Sequence, residues 1–150
     1  MMCDFLMKII YGGSEQTLKN SKNNTLIPSG NKDVKVYEYK LKSTKFNIYD
    51  ITEKKDANSQ TLDIYFMGSS ATILETPHYN EKINVYEKFD KVIRKSVELG
   101  SAIILLDKSL EQYMGNTVTG GDNIKAILMP TLNNAMIYLD KVCSKVNKNT

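Results

Sequence analysis

The stretch of this chain best suited to holding a small anion is Gly115-Asn116-Thr117-Val118-Thr119-Gly120-Gly121-Asp122. Glycines let backbone amides approach a phosphate closely, and Thr hydroxyls donate to it. The segment lacks the Lys-Ser/Thr ending of a P-loop and the spacing of a dinucleotide-binding turn. The plainer reading is a β-hairpin, with Gly120-Gly121 as a type I′ turn between short extended runs.

Carboxylates are the second candidate. Asp107 directly follows an apolar run, and in open parallel sheets ligand-contacting groups gather beyond the carboxyl ends of strands. Asp107, Glu111 and Asp122 together would suit a divalent ion or an acid–base pair, and so a metal-dependent hydrolase or transferase. The competing reading makes Asp107 a helix N-cap reinforced by Glu111, and capping is favoured. A third candidate is the Lys/Tyr alternation between Lys35 and Tyr49, which puts Lys35, Tyr37, Tyr39 and Leu41 on one strand face. Aromatic faces beside lysines hold single-stranded nucleic acid. The interleaved Glu38, Asp50 and Glu53 argue for an ordinary half-exposed strand instead.

Composition narrows the chemistry. The chain has a single histidine, His78, and a single arginine, Arg94, against 14 asparagines and 19 lysines. A histidine metal cluster or a pair of histidine acid–base groups is therefore impossible. A bidentate guanidinium clamp can come only from Arg94. Cys3 and Cys143 are too few for a disulfide framework and lack the cationic neighbours that activate a thiolate, so a reducing, cytoplasmic setting is expected. The net charge of +3 is interspersed along the chain rather than gathered into a stripe, which disfavours nucleic acid. No apolar run approaches the roughly 20 residues that cross a bilayer, and no membrane partner is expected.

The elements that must position these groups follow from periodicity. Strands are predicted at Phe5–Tyr11, Val34–Lys42, Phe46–Thr52 and Leu62–Met67, the last with Leu62, Ile64 and Phe66 on one face. Residues 14–33 read as a long, flexible polar loop. A helix is predicted from Asn84 to Leu99, closed by Gly100, then a buried strand at Ser101–Leu106, although periodicity alone also admits one helix over residues 84–114. A short helix over Asp107–Met114 and a strand at Asn123–Met129 follow. Last comes an amphipathic helix capped by Thr131, fraying over residues 147–150. Strands first and helices later predict one α+β domain over residues 1–150. Its sheet is mainly antiparallel, an N-terminal meander, with C-terminal helices on one face.

Scarce catalytic side chains and abundant Tyr and Asn point to a non-catalytic binding protein needing no cofactor and compatible with a homo-oligomer. Its expected object is a small phosphorylated or nucleotide-like ligand, or a partner protein that it masks. The expected ligand contacts are Tyr37, Tyr39, Arg94, Asn116, Thr119, Gly120 and Gly121. Two alternatives stand beside it: the carboxylate metal enzyme, and a protein–protein interaction module acting through the last helix.

Overall fold

Ile9, Ile10 and Tyr11 are consecutive and all fully buried, as a strand with one wet face does not permit. They belong to β1 (Leu6–Gly12), which lies at the centre of an eight-stranded sheet. The computed structural model describes residues 6–27, 33–41, 44–76, 85–107, 110, 117–119 and 124–148.

The remaining strands are β2 (Asn24–Ile27), β3 (Lys35–Lys40), β4 (Lys45–Asp50), β5 (Ser69–Thr76), β6 (Ala102–Asp107), β7 (Thr117–Thr119) and β8 (Lys125–Met129). They are ordered β2-β3-β4-β1-β5-β6-β8-β7. β1 runs parallel to both β4 and β5, and β6 runs parallel to β5 and β8. Five central strands are therefore parallel. The antiparallel pairs lie at the flanks: β2 with β3, β3 with β4, and β7 with β8.

This corrects the expected mainly antiparallel α+β meander to a mixed α/β sheet. The physical reason lies in one segment. Residues 62–67 do not form a strand: residues 62–66 make up most of α2 (Ser59–Phe66), with Met67 as its C-cap, and this helix carries the chain from β4 to β5. Parallel neighbours require a crossover of this kind, whereas antiparallel ones need only a hairpin. Asn58 caps α2, its side chain accepting from the Thr61 amide at 2.8 Å. Leu62, Tyr65 and Phe66 face the core at helical spacing, and Ile64 is 68% exposed. A strand would have turned Ile64 to the same side as Leu62 and Phe66.

Helices cover both faces of the sheet, not one. α1 (Glu15–Lys19) and α5 (Leu132–Lys148) pack on one side, through Leu18, Leu132, Ala135, Met136 and Leu139, against Ile9, Ile73, Ile104 and Met129. On the other side α2, α3 (Val85–Lys88) and α4 (Asp90–Glu98) cover Ile10, Leu74, Ile103 and Leu105. The stretch read as a polar loop thus contains α1 and β2, and the predicted helix ending at Leu99 is split at Phe89. Gly100 does close α4: its φ is +72°, and the amides of Gly100 and Ser101 donate to the carbonyls of Val97 and Ser96. The buried strand after it and the Thr131-capped final helix are also present. No helix among the described residues is long and apolar enough to cross a membrane.

Candidate ligand-binding crevice

β1 and β5 lie side by side and parallel, yet the chain leaves their carboxyl ends in opposite directions. From β1 it passes through α1 and on to β2, β3 and β4; from β5 it passes through α3 and α4 to β6. Open α/β sheets bind ligands outside the carboxyl ends at such a reversal. Here the two ends carry Tyr11-Gly12-Gly13-Ser14 and Glu75-Thr76.

Glu75 alternates with Ala71 and Ile73, so its carboxylate is directed to the α1/α5 side of the sheet, and it is only 4% exposed. Burying a carboxylate is costly unless donors meet it. The Tyr11 hydroxyl lies 2.5 Å from Glu75 Oε2, and the Thr17 hydroxyl donates to the same oxygen at 2.6 Å. The Tyr11 oxygen also accepts the Ser14 amide at 3.0 Å and sits 2.9 Å from the Ser14 carbonyl. Burial, and then the neighbouring Glu75 carboxylate, hold the Tyr11 phenol well above its ordinary pKa. Gly13 makes the turn possible. Its φ is +154°, and a Cβ there would stand 2.5 Å from the Glu75 Cβ. Ser14 then caps α1 by accepting the Gln16 amide.

A cavity of about 580 Å³ opens over Glu75. One wall is the end of α1 and the turn after it, Thr17 and residues 20–23. The opposite wall is Pro130 to Asn133, where β8 gives way to α5, and Leu106 of β6 and Tyr39 of β3 complete the lining. Thr131 caps α5, its hydroxyl accepting the Asn134 amide and its carbonyl the Ala135 amide. Leu132 and Asn133 therefore occupy the first helical positions, where amides have no intrahelical acceptor and the helix dipole is positive. Tyr39 ties the two walls together: its hydroxyl donates to Asn133 Oδ1 at 2.5 Å and accepts from Asn23 Nδ2 at 3.4 Å.

Of the residues expected from sequence to form a site, Tyr37, Tyr39, Arg94 and Thr119 are described, and they are spread over β3, α4 and β7. Tyr39 lines the cavity. Tyr37 shares its strand face but is buried in the core, and its hydroxyl has no hydrogen-bond partner among the described residues. Arg94 is on α4, on the opposite side of the sheet, paired with Asp90 at 3.0 Å. Thr119 lies in β7, antiparallel to β8 as a hairpin requires, with Thr119 opposite Lys125. Asn116, Gly120 and Gly121 lie outside the described residues, as do Glu111, Asp122 and His78. Asp107 is buried at the end of β6, but its neighbour Leu106 is the residue that lines the cavity. Among the described residues no three His, Cys, Asp or Glu side chains are grouped to hold a metal ion.

Sequence reasoning did not place Glu75, Tyr11, Thr17 or Asn133 among the expected site residues. Two signals were available. Gly-Gly-Ser follows an apolar strand directly, and Glu75 occupies an inward position of the Ala71–Leu74 alternation, where a charge is out of place unless used.

No protein-family model matches the chain, and no curated protein matches it. Among solved structures it is similar to a purine nucleoside phosphorylase from Toxoplasma gondii in complex with immucillin-H. The TM-score is 0.34 and the identity 10%, covering 91% of this chain and 71% of that one. A likeness of that size carries no argument about fold or function.

Proposed function

We propose that the chain is a non-catalytic binding protein that captures a small nucleotide-like ligand in the crevice at the carboxyl ends of β1, β5 and β6. The supporting observation is the cavity of about 580 Å³ at the topological reversal, with a buried carboxylate at its base. Small-molecule sites commonly span about 300–1,000 Å³ and combine apolar walls with a few placed polar groups. Leu106, Pro130 and Leu132 supply an apolar wall for a planar ring, and Asn20, Asn23 and Asn133 supply amides that pair donor with acceptor. The start of α5 and Lys22 form the electropositive end, suited to a phosphate. Glu75 forms the opposite pole, suited to hydrogen-bond donors.

Titration of the ¹⁵N-labelled protein with adenosine 5′-monophosphate tests this. Saturable shifts are expected at the amides of Thr17, Asn20, Ser21, Leu132 and Asn133, with the nucleotide recovered unchanged by mass spectrometry. Shifts absent at millimolar nucleotide, or confined to other residues, refute the site. Turnover of the nucleotide refutes the non-catalytic reading.

A further inference from the structure

Within the site proposed above, on which this step rests, we infer that Tyr39 is a positioning residue for two asparagine amides. It fixes which end of each amide meets the ligand, so that the crevice reads a base edge carrying a hydrogen-bond acceptor beside a donor. The two ends of an asparagine amide are nearly equal in shape and opposite in hydrogen-bonding sense, and an untethered amide turns to suit whatever approaches. A selective site must hold it.

Tyr39 is fully buried, and its ring meets Phe46 edge to face, with centroids 6.3 Å apart and planes at 73°. Its hydroxyl thus reaches the cavity from a fixed direction. A phenol has one proton to give. At 2.5 Å the contact with Asn133 falls in the range of O–H···O bonds and is shorter than N–H···O bonds run, so the proton goes to Asn133 Oδ1. The same hydroxyl can then only accept from Asn23, whose Nδ2 at 3.4 Å is the donor. One short bond therefore orients both amides. Asn133 is left with Nδ2, a donor, and Asn23 with Oδ1, an acceptor; neither atom has a partner among the described residues. The backbone on either side is held as well. The Lys40 amide donates to the Asn23 carbonyl at 3.1 Å, the Asn24 side chain donates to the Leu18 carbonyl at 3.1 Å, and Asn133 stands in the first turn of α5 behind the Thr131 cap.

Both asparagines line the cavity, from opposite walls. What lies between them must accept from Asn133 and donate to Asn23. A carboxylate or phosphate offers acceptors alone, and an ammonium donors alone. A ring nitrogen beside an amino group offers both in one plane, and Leu106, Pro130 and Leu132 supply the apolar surface that such a ring needs. In adenine the pair is N1 and the 6-amino group, the edge farthest from the sugar.

Calorimetric titration with adenosine 5′-monophosphate, its 1-deaza analogue and purine riboside 5′-monophosphate tests the assignment. The first analogue lacks the ring acceptor and the second lacks the amino donor. The wild-type protein is expected to bind each analogue about 3- to 10-fold more weakly, the loss of one neutral hydrogen bond. Asn133→Ala should abolish the preference over the 1-deaza compound alone, and Asn23→Ala the preference over purine riboside 5′-monophosphate alone. Tyr39→Phe keeps the ring and its packing but frees both amides. It should bring both preferences to within about 2-fold while adenosine 5′-monophosphate still binds. The reverse assignment, with Asn23→Ala erasing the 1-deaza preference, overturns the inference, as do preferences that survive Tyr39→Phe. Equal binding of all three compounds by the wild type also overturns it and leaves the site reading intact. Absence of binding by any of them overturns both. The wild-type and asparagine comparisons decide the question by themselves if Tyr39→Phe fails to fold.

Discussion

Tyr11→Phe removes one oxygen from the base of the crevice, and the structure sets what that oxygen is worth. It lies 2.5 Å from a Glu75 carboxylate that is 4% exposed, and it accepts the Ser14 amide at 3.0 Å. A hydrogen bond to a charged group contributes about 1.5–3 kcal/mol and a neutral one about 1 kcal/mol. Thr17 continues to bond Glu75, and the open cavity admits water, so the loss should fall near the low end, about 2 kcal/mol. For a domain of this size that lowers Tm by about 4–8 °C. Tyr37→Phe is the matched control. The Tyr37 hydroxyl is buried without a hydrogen-bond partner among the described residues, so deleting it should be neutral or stabilising. Urea denaturation followed by circular dichroism measures both. Alkaline pH adds a second reading. Burial and the Glu75 carboxylate hold the Tyr11 phenol above the ordinary tyrosine value of about 10, so the folded state retains that proton more tightly than the unfolded state. The stability this contributes is complete below about pH 10 and is lost as pH climbs above it. Tyr11→Phe should therefore flatten the decline of stability above pH 10 relative to wild type. A loss under about 0.5 kcal/mol for Tyr11→Phe, or equal effects of the two tyrosine substitutions, would refute the reasoning.

Two glycine substitutions should separate strain from clash. Gly13→Ala meets the Glu75 Cβ at 2.5 Å and keeps a φ of +154°, and is expected to cost more than about 2 kcal/mol in denaturation; Gly100→Ala, with φ +72° and nothing within 4 Å, should cost about 1 kcal/mol. Thr131→Ala removes the cap of α5 and should cost about 0.5–2 kcal/mol, read by thermal unfolding, with hydrogen exchange accelerated at the Asn134 amide.

Several elements were legible because their signals are local. Gly100 after an amphipathic run, Thr131 before one, and the apolar stretch at Ile103–Leu106 each specify an element through interactions within a few residues. Leu62–Met67 was misread because a short run can satisfy both periods: Leu62 and Phe66 fall on one side in either conformation, and only the buried Tyr65 and the exposed Ile64 tell them apart. Asn58 carried the missing information as a cap. That one segment changed the fold class, since a helix between β4 and β5 makes those strands parallel and moves β1 to the centre.

The crevice was legible only in fragments. Composition by itself excluded histidine metal clusters and left Arg94 as the only guanidinium. Tyr39 was singled out for its ring, but its companions are residues 17, 20–23, 75, 106 and 130–133, which the sequence scatters over more than a hundred positions. Their meeting depends on strand order, and strand order is set by packing over the whole sheet rather than by any local pattern. The sequence by itself determined which side chains exist for chemistry, where α4 ends and α5 begins, and which runs are apolar enough for burial on both faces. Only the tertiary structure decided that β1 and β5 are neighbours leaving the sheet in opposite directions. That arrangement places Tyr11, Thr17 and Glu75 within hydrogen-bonding distance, because the contact depends on a long-range register that no short stretch of chain encodes.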